Sequence, residues 1–167
     1  MAIDWAGLAG LGLRAFALPA ASKAPRTAGW TIYAERAPTA PELEAWSARL
    51  DLNAGIVTGA PSGVLVLDLT EAALRSALAS GTEIPETPRV RTLTGWHLYF
   101  QHPGFACRRI LKANRPADTD ILGDGRYAMA PGSIHPSGRL YEWDPAPSEA
   151  LPFAPAPAWL LARIERR

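Results

Sequence analysis

The spacing of apolar positions changes near residue 54. Before that point they recur at helical intervals or in alanine-rich runs; after it they gather into short blocks separated by glycine and proline. Residues 5–18 read as a first helix ending at Pro19, and residues 22–30 as a loop. Residues 38–50 fit a second helix. Thr39 is placed to cap it, Pro41 sits in its first turn, and Glu42 and Glu44 suit its positive end. Leu43, Trp46 and Leu50 would form its buried stripe.

Residues 54–58 then read as a short strand and residues 59–63 as a turn. Residues 64–69, Val-Leu-Val-Leu-Asp-Leu, are almost wholly apolar, as in a strand covered on both faces. Thr70 can cap a helix over residues 71–79, closed by Gly81. Residues 89–100 give a strand pair or one long strand, and residues 120–122, 127–130 and 139–143 give shorter ones. Residues 108–118 form a basic, irregular connection. The five prolines of residues 145–157 predict a semi-rigid strap before a last helix over residues 158–167. Strands and helices mixed in this order predict an α+β domain.

Composition narrows the picture. The 167 residues are 48% hydrophobic, which supports a real core and one domain spanning residues 1–167, or a compact pair of subdomains packed around one cleft. Sixteen prolines and 14 glycines argue against a helical bundle. The lone cysteine, Cys107, excludes an intrachain disulfide and an all-cysteine zinc cage, and suits a reducing compartment. Asp4 and Arg14 interrupt the apolar start, so residues 2–21 read as neither signal peptide nor membrane anchor; the expected location is the cytoplasm. The formal net charge of +1 hides a segregation. Residues 89–139 carry eight Lys and Arg side chains against three aspartates, and the remainder is net acidic. A basic middle with embedded carboxylates suits a polyanion together with a metal; an ordinary surface with uneven charge is the alternative.

Individual residues give candidate chemistry. Asp68 closes an apolar strand, where a carboxylate is costly to bury unless paired or metal-bound. Thr70, two residues on, shares its face but brings no charge, and Glu71 suits the first turn of the helix. His97 and Tyr99 alternate with Leu98 and Phe100; the imidazole is a buried hydrogen-bonding group or a phosphate ligand. Asp120 can point into a cleft, whereas Asp124-Gly125 reads as a turn. Ser133 and His135 lie in a glycine- and proline-shaped loop that is either a substrate loop or a hairpin end. Gly-x-Gly-x-x-Gly, Walker and Gly-x-Ser-x-Gly signatures are absent, and His97, His102, His135 and Cys107 lack regular zinc-ligand spacing.

An ordered set of segments resembles the bifunctional DNA primase/polymerase family, a branch of the archaeo-eukaryotic primase superfamily. The segments are Lys23-Ala24-Pro25 with Trp30; Asn53 to Gly59; Ser62 to Asp68; Gly95-Trp96-His97-Leu98-Tyr99-Phe100; Asp120-Ile121-Leu122-Gly123-Asp124-Gly125; and Ala130 to Arg139 with Tyr141-Glu142-Trp143. The resemblance implies a primase-like catalytic domain of mixed and antiparallel sheets, with an RRM-like core and flanking helices. It implies template-directed nucleotidyl transfer, with Asp68 and Asp120 holding Mg2+ or Mn2+ and His97 completing the catalytic set. Thr94, His97, Ser133, His135 and Arg139 would bind the nucleoside triphosphate. Arg108, Arg109, Lys112 and Arg115 would meet a single-stranded DNA template or primer. A fused or separate helicase module would be a natural partner, and the chain would then be a fragment of a larger replication protein. Three departures stand out: Thr70 replaces a second acid, the loop before His97 is one residue short, and Leu122 stands where the family often has arginine, with Arg126 nearby. They leave open a domain that binds nucleotide or DNA without catalysis. A metal-dependent phosphohydrolase is a third reading, disfavoured by the lack of a dense carboxylate cluster.

Overall fold

In the computed structural model, residues 2–24, 28–110 and 115–164 are described. Two sheets carry the fold. The smaller has the order β1 (Ala15–Pro19), β2 (Leu52–Val57), β7 (Tyr127–Met129). The larger runs β6 (Thr119–Leu122), β3 (Val64–Thr70), β5 (Gly95–Gln101), β4 (Arg89–Arg91), β8 (Glu142–Trp143). β9 (Ala154–Pro155), in the proline strap, pairs parallel to the end of β5; the other pairings are antiparallel. With α1 (Trp5–Gly10), α2 (Ile32–Glu35), α3 (Ala40–Ser47), α4 (Glu71–Ala79) and α5 (Ala158–Leu161), this is the expected α+β architecture.

The almost unbroken apolar run of β3 is explained by two cores. Val64 and Val66, with Val90 and Tyr99, face the smaller sheet and pack with Phe16, Ile56 and Met129. Leu65, Leu67 and Leu69, with Leu98, Phe100 and Ile121, face the other way and are covered by Leu74 of α4 and Leu160 of α5. β3 is thus central in both senses, paired on two edges and buried on two faces.

Local signals set several elements where the sequence places them. Thr39 caps α3 in a reciprocal capping box with Glu42. Thr70 caps α4 by accepting from the Ala73 N–H at 3.1 Å. Other expectations need correction. Residues 5–18 are not one helix: α1 stops at Gly10, Gly12 turns the chain at φ 76°, and Ala15 to Pro19 becomes β1, paired with β2. Leu50 lies beyond α3 and is 87% exposed, so it is no part of a buried stripe. The loop of residues 22–30 gives way to a 3-10 turn at Ala28–Thr31 and then α2. No helix among the described residues is long and apolar enough to cross a membrane.

Candidate active-site cleft

The pairing of β3 with both neighbours fixes a row of three side chains. Asp68 stands opposite His97 on β5 and opposite Asp120 on β6. Directly opposed residues share a face, so all three lie on the face that Val66 and Tyr99 give to the inter-sheet core. One step further along each strand the apolar contact ends and the polar row begins. There the sheets leave a cavity of about 380 Å³, lined by Asp68, His97 and Tyr141 on one side and Trp30, Tyr127 and Met129 on the other.

Gly95 makes this register possible. A Cβ there would lie 2.1 Å from the Leu69 carbonyl oxygen and 2.6 Å from the Thr70 Cα, so β5 begins hard against the end of β3. Thr94, just before it, is exposed at the turn, and its carbonyl accepts from the Glu71 N–H at 2.9 Å. Glu71 is drawn to the opposite face by the Trp96 indole N–H at 2.6 Å and by Arg75.

His97 is buried. Its Nε2 lies 3.7 Å from Asp68 Oδ1, too long for a hydrogen bond, and its Nδ1 has no partner. Burial lowers its pKa, as does the nearby Lys23 charge, against the pull of Asp68. The imidazole is therefore neutral near pH 7, with one N–H to donate. Tyr141 stacks beside it with ring centroids 6.1 Å apart and also lies 6.3 Å from the His135 ring. Burial and the Asp68 charge push the Tyr141 hydroxyl up to about 12. His135 Nδ1 accepts from the Ser137 N–H at 3.0 Å, which leaves its proton on Nε2. Loss of hydration and the Lys23 charge hold its pKa below the usual imidazole value.

Asp120 is engaged. Its Oδ1 accepts from the Ile121 N–H at 2.8 Å, and its Oδ2 accepts from Arg126 Nη1 at 3.0 Å. Asp120 and Arg126 line a second cavity, of about 500 Å³, together with Arg108, Arg109 and Arg115. Arg126 and Gly125 belong to both cavities. Three of the four proposed DNA-contacting cations thus sit beside Asp120; Lys112 lies outside the described residues.

Ser133 occupies a different place from the one expected of a nucleotide ligand. It is fully buried, and its hydroxyl accepts from the Ala54 N–H at 3.0 Å and donates to the Ala54 carbonyl at 3.2 Å. It extends the β2 ladder just past the end of β7. Arg139 is exposed at the tip of the same hairpin, its carbonyl accepting from the His135 N–H. Asn53, buried on β2, holds two cleft loops at once: its amide donates to the Ser22 and Ile134 carbonyls and accepts from the Ile134 N–H. Lys23 and His135 are the next residues in those loops. Lys23, Tyr141 and Asn53 escaped the reading of the sequence as site residues, although all three fall within the family-like segments.

The donor set suits a hard divalent ion. Asp68 offers a half-exposed carboxylate beside Asp120, and Mg2+ is commonly held by one or two carboxylates together with substrate phosphates. Thr70, on the same face, spends its hydroxyl on the cap of α4. A separate group, His102, Cys107 and Asp124, has ligand atoms within 4.8 Å of one another. It serves as a loop clamp. Asp124 accepts from the N–H groups of Ala60 and Cys107 and contacts His102 Nε2 at 3.2 Å. Burial pushes the Asp124 carboxyl up, but these hydrogen bonds outweigh it and leave the pKa below the ordinary value.

The architecture and the cleft define an α+β domain whose two sheets meet at an acid–imidazole–acid row beside a basic cavity. The family model for the N-terminal domain of bifunctional DNA primase/polymerases matches residues 6–159, and the chain belongs to that family. Membership points to primase/polymerase-type nucleotidyl transfer, with DNA and nucleotides as ligands. It lends no support to a fused helicase. No curated protein matches the chain.

Proposed function

We propose that the domain is a divalent-metal-dependent nucleotidyltransferase that extends a strand on a single-stranded DNA template. The observation that carries the reading is the row Asp68, His97 and Asp120 on three adjacent strands, with Asp68 and His97 lining one cavity and Asp120 lining the neighbouring cavity walled by arginines. In the reaction the primer 3′-oxygen attacks the α-phosphorus, the bond to the bridging oxygen breaks, and pyrophosphate leaves. Asp68 and Asp120 are the residues to hold Mg2+ or Mn2+, which when bound supplies charge stabilisation and an acidified 3′-hydroxyl.

The remaining side chains bind and orient. Neutral His97 donates its one N–H to a phosphate oxygen, and His135, whose ring also lies beside Tyr141, offers Nε2–H. Lys23 adds a positive charge, felt by both imidazoles, where the phosphates would lie. Arg108, Arg109 and Arg115, with Lys112, meet the nucleic-acid backbone, whose contacts are sequence-independent and weaken with salt. Thr94 and Arg139, both exposed, are the remaining nucleotide-binding candidates and line neither cavity.

Extension of a labelled primer on a single-stranded template, with pyrophosphate release measured in parallel, tests the proposal. Added nucleotides with Mg2+ or Mn2+, lost in Asp68→Asn, are the expected result; a folded wild-type protein that extends nothing with either metal contradicts it. A second reading, nucleotide or DNA binding without synthesis, is favoured by two observations. Thr70 contributes a cap instead of a carboxylate, and Asp120 is already paired with Arg126. DNA binding in the absence of extension would select it.

A further inference from the structure

We propose that Arg126 is an anion-released latch on Asp120, so that the cleft takes up a divalent ion strongly only once a phosphate has engaged that arginine. The inference rests on the metal-dependent reading above and concerns the order in which its ligands assemble.

The turn at Asp124 and Gly125, with Gly125 at φ 74°, folds the chain back so that Arg126 reaches the preceding strand β6. Its Nη1 donates to Asp120 Oδ2 at 3.0 Å and to the Ile121 carbonyl at 2.9 Å. An ion approaching Asp120 therefore meets a carboxylate whose charge is already balanced. Asp68 shares its cavity with Lys23, and Asp120 is bonded to Arg126, so the formal charges of the four cancel. A divalent ion gains little from such a site, because each nearby cation repels it.

The guanidinium also stands on the wall between the two cavities, with 41% of its side chain exposed. Arginine recognises phosphate through paired N–H donors. A phosphate entering among Arg108, Arg115 and Arg126 competes with Asp120 for this group. When the guanidinium turns to it, Asp120 is left unpaired beside Asp68 and the pair becomes an anionic ligand set. Linkage makes the effect reciprocal: bound ion tightens phosphate binding by the same factor. The ligand is a phosphate oxyanion, from either a DNA backbone or a nucleoside triphosphate.

Mn2+ binding, followed by loss of the electron-paramagnetic signal of the free ion, reads this without turnover. Titrations are run on protein alone, with single-stranded oligothymidylate, and with a non-hydrolysable nucleoside triphosphate, each against a protein-free blank. Wild type should bind Mn2+ weakly alone and about tenfold or more tightly with one of the two anions, and the arm whose gain shrinks on substitution of Arg126 identifies the source. Arg126→Gln should bind Mn2+ about tenfold more tightly without any anion, gain nothing from oligothymidylate, and gain less from the triphosphate, whose oxygens ligate the ion directly, than wild type does. Adding Asp120→Asn should erase that gain. Arg126→Met provides the same test should the glutamine variant not fold. Equal Mn2+ affinity in wild type and a folded Arg126 variant overturns the latch, as does an anion response as large in the variant as in wild type. If Asp68→Asn weakens Mn2+ binding and wild type extends primers, that result sinks the latch alone. If Asp68→Asn binds Mn2+ as wild type does, the metal-dependent reading falls with it.

Discussion

Replacing Ser133 by alanine separates a strut from a ligand. The hydroxyl is the partner of the Ala54 N–H, in a place where both residues are fully buried. The Ala54 carbonyl keeps a second donor, the Ala130 N–H at 2.9 Å, so the substitution strands one buried group, not two. An unpaired buried amide costs about 1–3 kcal/mol, and the change from serine to alanine leaves almost no cavity. Taking about 2 kcal/mol, and about 2–4 °C per kcal/mol for a chain of this size, the melting temperature should fall by about 4–8 °C. Thermal unfolding by circular dichroism measures the drop, and urea titration should show a lower midpoint at unchanged slope. Nucleotide affinity, measured well below the transition, should stay within about twofold, because the hydroxyl points at backbone. A variant that melts with wild type yet loses nucleotide binding would refute the strut and restore Ser133 as a ligand.

Three further outcomes follow from the geometry. Gly95→Ala places a Cβ 2.1 Å from the Leu69 carbonyl oxygen, against backbone that has little freedom to yield; a loss of about 3 kcal/mol is expected in denaturant titration, together with weaker nucleotide binding because His97 lies two residues on. The folded-state pKa of His97 lies below its unfolded value, so the native state binds fewer protons under acidic conditions; stability is full above pH ~6.5 and declines below it, by at most ~1.4 kcal/mol per pH unit down to the folded pKa. His97→Gln should flatten that decline in unfolding midpoints measured from pH 5 to 8, with His135 contributing a residual slope of the same sign. Thr70→Asp keeps an efficient helix cap, so its melting temperature should move by no more than ~2 °C, while the added carboxylate on the Asp68 face raises Mn2+ affinity about tenfold. No gain in affinity there would mean that the missing acid does not limit the site.

What the sequence disclosed, and what it hid, divides by the range of the interaction. The cap at Thr39, the helix from Thr70 and the doubly buried β3 are written in adjacent residues, and the structure has them at those places. Residues 15–19 are read wrongly because Ala-Phe-Ala-Leu is compatible with either state. Pairing with residues 52–56 decides it, a contact across the chain that local propensity does not encode. Asp68, His97 and Asp120 were each visible as polar interruptions of apolar strands, but only the β6-β3-β5 order and its register set them side by side. Its glycine- and proline-shaped loop offers Ser133 as a ligand, and the buried backbone partner of its hydroxyl, Ala54, is 79 residues away. The Arg126–Asp120 pair was hidden differently: the residues are six apart, and the turn between them had to be known before the guanidinium could be aimed.

The most direct test of the central claim is a crystal structure of the protein with Mn2+ and a non-hydrolysable nucleoside triphosphate, the ion located by its anomalous signal. The predicted result is manganese bonded to Asp68 with phosphate oxygens completing its shell, His97 donating to the same phosphates, and Asp120 turned toward the ion. A nucleotide bound away from the Asp68–His97–Asp120 row, or manganese found instead at His102, Cys107 and Asp124, would contradict it.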